Sequence, residues 1–147
     1  MDRGAAVALT AFTGGLIALQ APINSMLGKA VGSFQAAFVA FAIGTILLAV
    51  LAAVAKGGFG TIGEARELSW YYLTGGVLGA AYVTAVLVTV RELGAGPVVA
   101  ATIAGQLTAS VVLDQFGLLG LPKDPISLGK IVGVLLLAAG VYLVVRE

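Results

Sequence analysis

The chain has no cysteine and no histidine. Their absence excludes disulfides, thiolate metal sites, Cys or His nucleophile–base pairs and imidazole switching near neutral pH. No metal and no cofactor are expected. Charge is scarce as well: eight basic and seven acidic residues make up 10% of 147, against about 25% in an ordinary soluble domain. A formal net charge of +1 gives no hold on a polyanion, so nucleic acid is not an expected partner. No Ser-His, paired-carboxylate or metal constellation appears, and an intramembrane enzyme is the least favoured reading.

What is present is apolar: 60% of the residues are hydrophobic and the mean hydropathy is +1.09. A soluble protein of this length could not hide so much apolar surface. Five runs reach the roughly 20 residues needed to cross a bilayer, Gly4 to Leu27, Phe34 to Ala55, Trp70 to Val90, Pro97 to Leu119 and Ser127 to Val145. Their uninterrupted hydropathy favours helices over barrel strands, which would alternate. The fold expected is all-α, a single transmembrane domain of five helices over residues 1–147, with the lipid bilayer as its surroundings.

Nearly every charge lies between the runs. The first run, with Arg3 before it and Ala18 and Ala21 further on, has some marks of a signal peptide, but it is too long and is interrupted by Gln20, Pro22 and Asn24. It is expected to stay in the mature protein, with a bend at Pro22. Ala36, Ala40 and Gly44, and then Gly75 and Gly79, recur at four-residue spacing and read as helix-packing faces. Lys56 to Leu68 reads as a solvated connector with room for one short amphipathic turn. Trp70, Tyr71 and Tyr72 mark a membrane boundary. Pro97 is expected at the first position of the fourth helix, where no donor is wasted, and Ser127 as the cap of the fifth. The glycines at 94 and 96 lack the spacing and the Lys-Ser/Thr ending of a phosphate-binding loop.

The fourth run carries the candidate site. Thr102, Gln106, Ser110 and Asp114 recur every four residues, so each advances about 40° around a helix and the four form one winding polar stripe. Counted from Pro97 at 1.5 Å per residue, Gln106 lies about 14 Å and Asp114 about 26 Å into a core about 30 Å thick. Gln106 is therefore near the midplane and Asp114 near the far side. Asp114 is the one acidic side chain well inside a run. Two readings of it stand: an ion- or proton-coupling carboxylate, or an interface residue paired with Lys123 or Lys130. Gln20 and Asn24 share a face of the first helix, and Tyr82 lies one turn beyond Gly79; each reads either as a substrate contact or as a hydrogen bond between neighbouring helices.

Gly133-Val-Leu-Leu-Leu-Ala-Ala-Gly140-Val-Tyr-Leu-Val-Val resembles the dimerising last helix of the small multidrug resistance transporters. Leu19-Gln20 with Asn24, Gly105-Gln106-Leu107 and Leu113-Asp114-Gln115-Phe116-Gly117 resemble the five-helix branch of the drug/metabolite transporter superfamily to which those transporters are related. The resemblance covers essentially the whole chain. It implies a multi-pass protein of a prokaryotic inner membrane that pairs antiparallel and moves small molecules by alternating access, with Gly133, Leu137 and Gly140 packing the dimer. Small multidrug resistance transporters carry a glutamate in the first helix, and the nearest residue here is Gln20.

With five crossings, Arg3, Lys56, Arg66, Lys123 and Lys130 share one side and Lys29, Arg91 and Arg146 the other. So weak a bias slightly favours a cytoplasmic N-terminus and allows insertion in both orientations. An antiparallel pair would recreate an inverted repeat and bring Gln20 and Asn24 of one protomer level with Asp114 of the other. The leading expectation is a secondary transporter of small polar or weakly cationic solutes with a site shared between two protomers. Alternatives are a non-transporting subunit that works as a heterodimer with a related chain, and a passive channel.

Overall fold

Among residues 2–55 and 58–146, which this computed structural model describes, 87% are helical and there is no strand. Lys56, counted above in the charge bias, lies outside them. Five helices are long and apolar enough to cross a membrane: α1 (Arg3–Val31), α2 (Ser33–Val54), α3 (Gly75–Leu93), α4 (Ala95–Phe116) and α5 (Leu128–Arg146). Short 3₁₀ turns occupy Ile62–Glu67 in the connector, none of whose residues is buried, together with Trp70–Thr74 and Leu118–Gly120. The chain falls into two units, Met1–Arg91 and Glu92–Glu147.

In the first unit α1 runs unbroken through Pro22, whose ring removes the bond to the carbonyl of Ala18. A single residue joins α1 to α2. Gly32 has φ +97°, a conformation side chains resist, and a Cβ there would collide with the Gln35 amide. The third run opens as a 3₁₀ turn before it becomes α3 at Gly75, and the Thr74 hydroxyl donates to the Tyr71 carbonyl at 2.6 Å. α1 packs on α2, and the core of the unit is small: Ala36, Ala37 and Leu87 are buried, with Leu27 and Val83 packed against them. Of the packing faces, Ala36 is fully buried while Gly44 and Gly75 are open, and Gly79 lies against the Phe41 ring.

In the second unit α4 begins at Ala95, so Pro97 is its third residue rather than its first. The first four N–H groups of a helix all lack an intrahelical acceptor, so Pro costs no bond at either place. α4 ends at Phe116, three residues before the apolar run does. Gly117 takes φ +61° and its N–H turns back to the carbonyls of Leu113 and Asp114, a left-handed glycine cap. Leu119 follows at φ +58°.

The loop is then tied to both helices. The Asp124 N–H donates to the Asp114 carbonyl at 2.9 Å, the Ile126 N–H to the Gln115 side-chain oxygen, and Lys130 Nζ to the carbonyls of Asp124 and Pro125. Ser127 Oγ accepts from the Lys130 N–H at 3.3 Å, the expected cap. α5 packs along α4.

The surface is the reverse of a soluble protein's. No more than 6% of the most apolar stretch of any of the five helices is buried, and Phe12, Phe38, Leu78 and Leu136 are each about two-thirds exposed or more. In water such patches would aggregate. In hydrocarbon they are the solvated surface, while the helices satisfy their backbone internally.

Candidate functional site

α4 carries Thr102, Gln106, Ser110 and Asp114 on successive turns, as the spacing predicts. Thr102 and Asp114 are half-buried; Gln106 and Ser110 are exposed. The four are not equivalent chemically. Ser110 donates its hydroxyl to the Gln106 carbonyl at 2.8 Å, so its proton is spent on its own helix and only its lone pairs remain for a solute. Thr13, Thr84, Thr89 and Thr108 bond back in the same way. Among the described residues, no hydrogen bond engages the side chains of Thr102, Gln106 or Asp114.

Asp114 stands in the last turn of α4, two residues before its end. The carbonyl ends of a helix are its negative pole, so a carboxylate there is opposed by its own helix. Pairing with Lys130 is not what the structure shows. Lys130 Nζ lies 2.9 Å from the Asp124 carboxylate, the one salt bridge among the described residues. Asp124 wins because it stands in the loop just before α5, which folds back over the first turn of that helix, where Ser127 and two loop carbonyls already hold Lys130. What ties Asp114 to the loop is its backbone carbonyl, not its side chain.

A shallow groove of about 630 Å³ runs between α4 and α5, lined by Ala104, Gly105, Thr108, Ala109, Val112 and Leu113 with Val134 and Ala138. The polar stripe runs beside this groove, not in it. Its one hydroxyl, on Thr108, is bonded to Ala104, so the groove offers a solute contact area without recognition. On α5, a Cβ added to Gly133 or Gly140 would meet nothing within 4 Å, and Leu137 is half-buried.

The other candidates belong to the first unit. Gln20 is exposed, Asn24 is 9% exposed and Tyr82 is exposed on α3. Beside Asn24 lies a contact that sequence reading missed. Arg91, so far only one of the basic residues of its membrane side, donates from Nε to Ser25 Oγ at 3.2 Å and from Nη2 to the Ser25 carbonyl at 3.4 Å. The signal open to reading was the four-residue step from Leu87 to Arg91, which aligns the exposed Arg91 with the face of α3 that buries Leu87 one turn earlier. Gln115 was likewise quoted only as part of a motif, and its role in holding Ile126 had no local signature.

These elements frame the comparisons with known proteins. Residues 5–143 match the family described as "Putative inner membrane exporter, YdcZ". The chain belongs to this family. It is 33% identical over 90 residues to the inner membrane protein YdcZ of Escherichia coli (strain K12), an alignment covering 61% of this chain and 58% of that protein. The chain thus aligns with less than two thirds of that relative's length. No solved structure matches it. The resemblance to drug/metabolite transporters is borne out, and YdcZ-family membership together with five helices able to span makes this a multi-pass inner-membrane protein.

Proposed function

We propose that the protein is a secondary transporter, not an enzyme, that exports or exchanges small polar or weakly cationic molecules by alternating access. Two copies of the five-helix domain pair antiparallel and share the site. The observation that carries this reading is the α4 stripe in a chain of an exporter family: Gln106, exposed at about mid-depth, keeps its amide free of side-chain hydrogen bonds among the described residues. An uncommitted amide at that depth is costly in lipid and useful to a passing solute.

Thr102 and the lone pairs of Ser110 extend the contact surface. Asp114 supplies the one negative charge and serves as the proton- or cation-coupling group. Gln20 and Asn24 of the opposite protomer complete the far end, and Tyr82 offers a ring and a hydroxyl. The glycines of α5, with Leu137, support pairing through that helix, because no described residue comes within 4 Å of a Cβ built on Gly133 or Gly140.

Purified protein in liposomes is expected to show saturable flux in a screen of small amines and metabolites, and Asp114→Asn to abolish substrate-driven pH change. Unsaturable flux would point to a channel. Flux restored only by a related chain would point to a heterodimer subunit. Because the chain has no native cysteine, cysteines placed on α4 and on the partner's α1 test the arrangement without background, and exclusively parallel crosslinks would reject it.

A further inference from the structure

We propose that Arg91, seated on Ser25, forms with Lys29 a phosphate-binding site at the end of the first unit where α1 and α3 terminate. This site is separate from the α4 stripe. Arg91 stands one turn after Leu87, which is 1% exposed and the only fully buried large side chain of the described residues. Arg91 is itself exposed, and its guanidinium lies against the edge of the packed face, where it meets Ser25, 6% exposed. Both of its hydrogen bonds go to neutral oxygens of that residue. No carboxylate among the described residues forms a salt bridge with it.

The seat is shaped for this head group. A Cβ on Gly28 would collide with Arg91 Nη2, so the bare glycine leaves the space that the guanidinium occupies in this position. Lys29 follows Ser25 by four residues and so stands on the same face of α1, one turn nearer the helix end. Two cations thus gather at one end of the unit, and the acidic residue beside them in sequence, Glu92, is turned about 100° away around α3.

A guanidinium has five N–H donors in a planar fork and uses two of them here. The remaining fork matches two oxygens of a phosphate, the pairing for which arginine is better suited than lysine. No carboxylate neutralises the exposed guanidinium within the described residues, and an oxyanion would pair with it by charge-assisted hydrogen bonds. Arg91 lies two residues from the end of α3, and the end of a spanning helix is where headgroup phosphates are met. A free phosphate arriving from the aqueous side offers the same chemistry.

The full-length protein in zwitterionic detergent micelles, titrated separately with phosphatidylglycerol and with inorganic phosphate and read by native mass spectrometry and thermal shift, tests this. Arg91→Gln is expected to weaken binding at least tenfold. Arg91→Lys is expected to weaken it less, because charge survives without the fork. Arg146→Gln, removing another helix-end arginine, should change it less than twofold. Binding of the lipid alone assigns the site to a headgroup; binding of inorganic phosphate assigns it to a soluble oxyanion. Should Arg91→Gln fail to fold, Ser25→Ala, which removes one hydroxyl from the seat, is expected to weaken binding severalfold. Equal binding by wild type and the Arg91 or Ser25 variants, equal loss in Arg146→Gln, or no binding of either probe overturns the proposal.

Discussion

Adding one methyl group at Gly28 tests the packing of the first unit more sharply than any truncation. In an ordinary helix interior Gly→Ala stabilises by about 1 kcal/mol. At Gly28 the new Cβ collides with Arg91 Nη2, stands 3.1 Å from Leu87 Cδ2 and 3.6 Å from the Ala36 Cβ. Arg91 is the free end of a flexible chain and yields first, giving up two hydrogen bonds to Ser25 worth about 1 kcal/mol each. Leu87 must then move by a few tenths of an ångström with almost no exposed surface to move into, at the low end of overpacking, about 1 kcal/mol. Gly28→Ala should therefore destabilise by about 2 kcal/mol net, roughly a thirtyfold fall in the folded-to-unfolded ratio. Unfolding of the purified protein in mixed detergent and SDS micelles, followed by circular dichroism, measures it. In an Arg91→Ala background the hydrogen-bond loss is already taken, and the same methyl should be nearly neutral, a coupling of about 2 kcal/mol between the two sites. A Gly28→Ala protein as stable as wild type, or a cost that Arg91→Ala leaves unchanged, would refute the reasoning.

Two other perturbations address the second unit. A Cβ at Gly133 or Gly140 meets nothing within 4 Å, so Gly133→Ala and Gly140→Ala should leave the helical content of the monomer intact while weakening self-association in a crosslinking or single-molecule photobleaching assay. Lys130→Met removes the ion pair with Asp124 and two hydrogen bonds to loop carbonyls; with Asp124 two-thirds exposed, the expected loss is about 1 kcal/mol in the same unfolding assay, with faster proteolysis at Pro122 to Ile126.

Membrane-spanning helices are legible in this sequence because hydropathy is a local property, and a bilayer asks only for length and composition. Each span found by reading the runs corresponds to a helix, with ends displaced by one to five residues. The displaced ends follow from backbone devices: Gly117 entering the left-handed region stops α4 before the apolar run stops, and the Trp70–Thr74 segment winds as 3₁₀ ahead of two glycines. The Ser127 cap was legible because a cap acts within one turn.

Partner choice was another matter. Asp114 and Asp124 both offer a carboxylate to Lys130, and only the path of the loop decides between them. Ser25 and Arg91 are 66 residues apart; nothing local to either announces the other. The polar stripe of α4 was visible in the sequence as a pattern. That Ser110 would spend its proton on the Gln106 carbonyl while Gln106 keeps its amide uncommitted could be read only from coordinates.

The helices differ in length by ten residues, and in a bilayer that difference becomes mechanical. α1 has 29 residues and α5 has 19, about 43 Å and 28 Å at 1.5 Å per residue. A hydrocarbon core about 30 Å thick holds α5 nearly upright, while α1 must lean or carry its last turns into the headgroups. Thinning the bilayer by a few ångströms would therefore increase the lean demanded of α1 while relieving α5, and thickening it would stretch α5 first. Lipid chain length thus sets opposite demands on the long and the short helices of this chain.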